Sequence, residues 1–162
     1  MKTSAKLLSV LLVLCMLLSL AACGTDSQET KETPATAQGT ETAAPTEIPA
    51  EGLWKDAKWR QSVTLGEGQK EVKLTVKAED QSIVITVKTD EKLLGTALVA
   101  LGIVEGEEGP YGLYIKKVNG ILADYDVDQT YWGFYQNGNY MMTGVDTTEI
   151  AGGESFELVR TK

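Results

Sequence analysis

The chain contains no histidine. That absence removes the usual general base, the Ser/His and Cys/His nucleophile pairs and the commonest zinc ligand. Acid–base chemistry would have to run on carboxylates alone. Cysteine is almost as scarce, at two in 162 residues, Cys15 and Cys23. Basic residues are outnumbered, fifteen Lys and Arg against twenty-three Asp and Glu. An acidic surface argues against nucleic acid, which selects for basic patches. It also gives no electrostatic help at an anionic bilayer. The one long apolar run, residues 7–20, is short for a membrane span.

That run has a context. Lys2 and Lys6 precede it, and Leu20-Ala21-Ala22-Cys23 closes it before the chain turns abruptly polar. A basic start, an apolar stretch and small residues before a cleavage point make a secretory signal. The tetrad resembles a bacterial lipoprotein lipobox. The resemblance implies cleavage before Cys23 and a diacylglyceryl thioether on its sulfur. The alternatives are an ordinary signal peptide with an incidental cysteine, or an uncleaved anchor helix. Residues 1–22 are thus expected to be a lipoprotein signal peptide. Their removal takes Cys15, two lysines and no acid, leaving thirteen basic against twenty-three acidic residues, a balance of −10. With Cys23 lipidated, the mature chain has no free thiol and no disulfide, so its core alone must hold it. The expected location is the extracytoplasmic face of the cell membrane, with the lipid as anchor.

Residues 23–51 are rich in Thr, Glu and Pro and have no aromatic side chain. Such a stretch cannot bury enough apolar area to offset its chain entropy, so a disordered linker is expected, with a reach of about 30 Å. Residues 52–162 are enough for one domain with one core. Val72, Leu74 and Val76 alternate with polar residues, and Ile83, Ile85 and Val87 do the same. Both patterns predict half-buried strands. A helix is predicted over residues 91–101, capped by Asp90 and stopped by Gly102, with Leu94, Leu98 and Leu101 on one face. Residues 105–110, rich in Gly and Glu, read as a loop. Asn119-Gly120 and Asn137-Gly138 each lie between strand-like runs and predict hairpins. Gly152-Gly153 then leads into a closing strand from Ser155. Strands, one helix, then strands again give an α+β class, a mainly antiparallel sheet with one covering helix.

All six tyrosines lie between Tyr111 and Tyr140. A two-residue loop at Asn137-Gly138 sets Tyr135 opposite Tyr140, Phe134 opposite Met141 and Gly133 opposite Met142. Alternation then sends Trp132, Phe134 and Met141 to the core. The other face carries Tyr131, Tyr135, Tyr140 and Met142, with a gap at Gly133. Such a face suits a flat, partly apolar ligand or a partner surface. The alternative is that these tyrosines pack under loops with their hydroxyls in water. Asp124, Asp126 and Asp128 look like the start of a calcium loop. Gln129 stands where that loop needs Gly and Tyr135 where it needs Glu, so a solvated acidic loop is expected and no metal site.

Several spaced segments together resemble the transcobalamin-like C-terminal domain. They are Tyr111-Gly112-Leu113-Tyr114-Ile115, Val118-Asn119-Gly120, Ala123-Asp124-Tyr125, Tyr131-Trp132-Gly133-Phe134-Tyr135, Asn137-Gly138, Tyr140, Gly144-Val145-Asp146, Ile150, Gly152-Gly153-Glu154 and Phe156. The resemblance covers residues 82–162. It implies a β-grasp-like α+β domain, found in bacterial surface lipoproteins and as the smaller domain of vertebrate cobalamin carriers. In those carriers the ligand lies between this domain and a larger helical one. No helical domain is expected here, so a carrier-type enclosed site is not expected from this chain alone. The expected function is therefore a non-catalytic, membrane-anchored ligand-binding module. Cobalamin or another corrinoid is the candidate ligand, no cofactor is required, and a membrane uptake system or surface protein is the expected partner. The alternative is a protein- or wall-interaction module using the same face. A carboxylate enzyme is the least favoured of the three.

Overall fold

In the computed structural model, which describes residues 46–162, the two alternating segments become the longest strands. The first strand, β1, spans Val63–Gly66, β2 spans Lys70–Ala78 and β3 spans Gln81–Thr89. Val72, Leu74, Val76 and Ala78 are buried on β2, and Ile83, Ile85 and Val87 on β3. Period-two burial follows because one face of the sheet is covered and the other is not. β2 and β3 pair antiparallel through a two-residue turn, and β1 lies parallel to β3 on its outer side.

The helix α1 spans Leu94–Ala100, shorter at its start than the sequence predicts. Asp90 does not cap it; its carboxylate accepts from Gln69 N at 2.9 Å instead. The backbone of the segment after Thr147 takes that role, with Leu94 N donating to Thr148 O and Ile150 N to Lys92 O. Long-range pairing thus satisfies the first turn, and Asp90 is released to brace a loop. The other end behaves as predicted. Gly102 has φ +65, its N–H bonds Val99 O, and Ile103 N bonds Leu98 O. This double closure needs a residue at home in the left-handed region.

Residues 105–110, expected as a loop, are mostly strand. β4 spans Val104–Gly109 and pairs antiparallel with β5, Gly112–Val118, across a bulge at Glu105/Gly106. Nothing in its exposed, glycine-interrupted sequence shows alternation, because β4 is an edge strand with little to bury. The Asn119-Gly120 turn then joins β5 to the short β6, Ile121–Leu122, with Val118 opposite Ile121. Both turn residues have positive φ, as this hairpin type demands. Asn119 is fully buried. Its Oδ1 accepts from Trp59 N at 2.9 Å and its Nδ2 donates to Trp59 O at 2.7 Å.

A short helix α2, Tyr125–Asp128, leads to β7, Tyr131–Gln136, and the two-residue β8, Asn139–Tyr140. The last strand, β9, is Ser155–Thr161. It lies parallel to β2 and antiparallel to β7. The main sheet therefore runs β1-β3-β2-β9-β7-β8, and β4-β5-β6 form a second sheet. A hairpin, a helical crossover and a strand returning parallel to the first make this an α+β, β-grasp-like fold. Leu94, Ala97 and Leu98 of α1 cover the inner face with Phe156, Leu158, Trp132 and Phe134.

The folded domain takes in residues ahead of Gly52. Ile48, the one bulky aliphatic residue of the linker region, is packed into the core and its N–H bonds Arg60 O at 2.7 Å. Trp54, in a 3-10 turn over Gly52–Asp56, is almost fully buried and donates from Nε1 to Ala78 O at 3.1 Å. The expected signal peptide, Cys23 and the expected linker through residue 45 lie outside the described residues. Among the described residues no helix is long and apolar enough to cross a membrane.

Candidate functional site

The Asn137-Gly138 hairpin holds the register that the sequence predicts near its turn. Tyr135 pairs with Tyr140, and Met141 N donates to Phe134 O at 2.9 Å. Beyond that bond the chain leaves the ladder, and neither Met142 nor Thr143 pairs with β7. Met142 is 91% exposed. The early end of β8 leaves Tyr131–Gly133 without a strand partner on that side, since β9 occupies the other.

A cleft of about 320 Å³ lies beside this edge. Tyr131, Trp132 and Phe134 of β7 form one wall, and Leu113, Tyr114 and Ile115 of β5 the other. Residues 140–145 complete the lining. The mixture follows from the geometry: a space at a sheet edge is reached by side chains of both faces. Tyr114 and Tyr140 are partly exposed, at 42% and 53%, whereas Trp132 is 7% exposed. Nε1 of Trp132 is buried with no hydrogen-bond partner. Lys116 places its Nζ 4.8 Å from the centre of the Tyr114 ring, a cation–π contact that stiffens this ring at the rim.

The five residues that sequence reasoning singles out divide into two groups. Tyr131, Tyr140 and Met142 line the cleft. Gly133 and Tyr135 lie away from it and are engaged with each other. A Cβ at Gly133 would come within 3.0 Å of Cε2 of Tyr135, so the tyrosine ring itself lies over the glycine. The gap expected at Gly133 is filled. Tyr135 then meets Tyr140 edge to face, with ring centres 5.3 Å apart, which orients Tyr140 at the cleft margin. Sequence reasoning missed Leu113, Tyr114 and Ile115. The concentration of tyrosines from residue 111 onward marks the segment, but only the packing of β5 beside β7 carries it to the cleft.

Asp124, Asp128, Glu105 and Glu154 are spent on structure. Asp124 accepts from Asp126 N at 3.1 Å and caps α2. Asp128 accepts from the hydroxyl and N–H of Thr130 and pairs with Arg160. The Thr130 hydroxyl, with help from Arg160, holds the Asp128 carboxyl below its ordinary value. Glu105 is lowered by its hydrogen bond and attraction to Lys58, with Lys117 adding to the effect. For Glu154, burial pushes the carboxyl up, but backbone N–H groups including those of Ala151 and Gly152 outweigh it and the net direction is down. Among the described residues no three Asp, Glu, Cys or His side chains converge to hold a metal ion.

Comparison with known proteins places this architecture in a family. Residues 90–158 match the family model described as a domain of unknown function (DUF4430). A solved structure of a suggested metal-binding protein from Ruminococcus gnavus ATCC 29149 is 34% identical. The match covers 58% of this chain and 98% of that one, with a TM-score of 0.55. The chain belongs to the family of that protein. The structure of haptocorrin in complex with Cbi is also similar, at 22% identity and a TM-score of 0.44, over 57% of this chain and 25% of haptocorrin. No curated protein matches the chain.

Proposed function

We propose that this protein is a non-catalytic binding module that takes one face or edge of a flat, partly apolar molecule into the β5–β7 cleft. The observation that carries the reading is the cleft itself, an aromatic-walled space along a strand edge left open by the short β8. Tyrosines offer apolar rings with polar tips, the composition that suits a ligand with both kinds of surface. A corrinoid is the candidate ligand, supported by the resemblance of residues 82–162 to the transcobalamin-like domain. At about 320 Å³ the cleft would grip such a molecule without enclosing it.

The suggested role of the Ruminococcus gnavus protein raises the question of a metal. The residues present here do not fit one: Asp124 and Asp128 are engaged in capping and ion pairing, and no donor set converges among the described residues.

The chain is proposed to work at the extracytoplasmic face of the membrane, anchored through lipid on Cys23. The supporting observation is the charged, apolar and small-residue run ending at that cysteine. A membrane uptake system or a surface protein would then be its partner. In Cys23→Ala, lipid labelling should be lost and the protein should leave the membrane fraction; retention of both would sink the assignment.

The ligand reading is tested by calorimetric titration of the full chain carrying Cys23→Ala with cobalamin and with cobinamide. Saturable binding is expected, weakened about tenfold or more by Tyr140→Ala, the scale of one lost aromatic contact. Absence of heat from a folded protein would overturn it. It would favour the second reading, a protein- or wall-interaction module, in which the open edge of β7 takes an extended segment of a partner.

A further inference from the structure

The chain has three asparagines, Asn119, Asn137 and Asn139, and two of them precede glycine. Glycine has no Cβ to shield its backbone nitrogen. An asparagine ahead of it is therefore open to attack by that nitrogen on its own carboxamide carbon. The fold treats the three residues differently. Asn119 is fully buried, and Trp59 holds its carboxamide at both ends. Gly120 beside it is crowded, since a Cβ there would stand 2.4 Å from Asp56 O. Asn139 is exposed, but a bulky tyrosine follows it.

Asn137 alone combines exposure with a following glycine. Its backbone carbonyl accepts from Asn139 Nδ2 at 3.4 Å, whereas its own carboxamide has no hydrogen-bond partner among the described residues. No atom would lie within 4 Å of a Cβ at Gly138, so the attacking nitrogen stands in open space. The turn is also a sensitive place. It has two residues, at φ +51 and +78, and β8 is held to β7 by just two residue pairs, Gln136 with Asn139 and Tyr135 with Tyr140.

We propose that Asn137 is a self-modification site, which converts to aspartyl and isoaspartyl forms and thereby loosens Tyr140 at the cleft margin. Gly138 N gives its proton to solvent and bonds to Cγ of Asn137. The Cγ–Nδ2 bond breaks and ammonia leaves. Water then opens the cyclic imide. Opening at Cγ restores the ordinary backbone with a carboxylate side chain. Opening at the backbone carbonyl leaves the chain running through Cβ and Cγ, one atom longer. A two-residue turn has no slack for that atom, and the register that sets Tyr140 against Tyr135, with ring centres 5.3 Å apart, is lost. Neither step depends on what the cleft binds.

The test is peptide mass mapping of the full chain carrying Cys23→Ala, incubated in neutral buffer made with water labelled with heavy oxygen. Asn137 should gain a labelled oxygen and yield both products, told apart by electron-transfer fragmentation. Asn119 should lag by about a thousandfold or more in the folded chain, because its reaction waits on unfolding. In urea the two should react at similar rates. Asn137→Gln, which would have to close a larger ring, should lose the modification. An Asn137 that stays intact in the folded chain yet reacts in urea would overturn the proposal, as would equal rates at Asn119 and Asn137 in the folded chain. The isolated isoaspartyl form should lose the Tyr135–Tyr140 ring contact by NMR. It should also exchange the Met141 amide, which bonds Phe134 O at 2.9 Å, at least about tenfold faster. Asn137→Asp, with the ordinary backbone, should keep both. An unchanged isoaspartyl hairpin, or equal loosening in Asn137→Asp, would overturn the role given to the added backbone atom.

Discussion

Gly95 shows how a single residue can answer to a distant neighbour. In an isolated helix, alanine in place of glycine stabilises by up to about 1 kcal/mol. In α1 the added methyl would stand 2.7 Å from Asp146 Cα and 3.0 Å from Val145 C, both backbone. Backbone cannot swing aside as a long side chain can. Gly95→Ala is therefore expected to destabilise by about 1–3 kcal/mol, against its helix propensity, measured by urea unfolding. A stabilised variant would show that the 3-10 turn over Val145–Thr147 shifts freely. Asn119 makes a similar point, since the turn asks for its positive φ while its side chain is engaged with the Trp59 backbone.

Among the elements, α2 and β9 are joined by charge. Asp128 at the end of α2 accepts from Thr130, and Arg160 of β9 pairs with it while donating from Nε to Leu122 O at 2.9 Å. The lowered carboxyl value sets the sign of the pH effect. The unfolded chain takes up the proton more readily than the folded one. This stabilisation is thus present above the ordinary value of 3.8 and is lost as pH falls through the lower folded-state value. Asp128→Asn should flatten the decline of Tm below about pH 4 and lower Tm at pH 7. An unchanged acid limb would place the sensitivity elsewhere, with Glu105 and Glu154 next, since both are lowered as well.

For the whole molecule, the boundary of the domain lies ahead of the segment that the family model matches, residues 90–158. β2 is the central partner of both β3 and β9, and Trp54 locks the preceding segment onto β2 through Ala78 O. Trp54→Ala removes a large buried side chain and should cost about 3–5 kcal/mol, read from the urea midpoint. A loss below 1 kcal/mol would mean that residues 46–62 are an appendage. The aromatic cleft depends on this scale: it lies where β5 of the second sheet meets β7 of the main sheet, and it does not exist within one hairpin.

Much of the fold was legible from local pattern. Alternation located β2, β3 and their buried faces, and the two Asn-Gly pairs set their hairpins, because strand burial and turn conformation are decided by residues adjacent in sequence. The Gly102 stop of α1 was legible for the same reason. Edge strand β4 was not, since a strand with little to bury leaves no period. The helix start was misplaced because a distant backbone, at Thr148, supplies its hydrogen-bond acceptor. Of the candidate site, Tyr131, Tyr140 and Met142 were visible as an aromatic face. Tertiary structure alone decided that Tyr135 covers Gly133, that β5 supplies the opposite wall, and that Gly95 abuts the backbone of Asp146. Such contacts join residues far apart in the chain, and their specificity resides in packing distance, which no local period encodes.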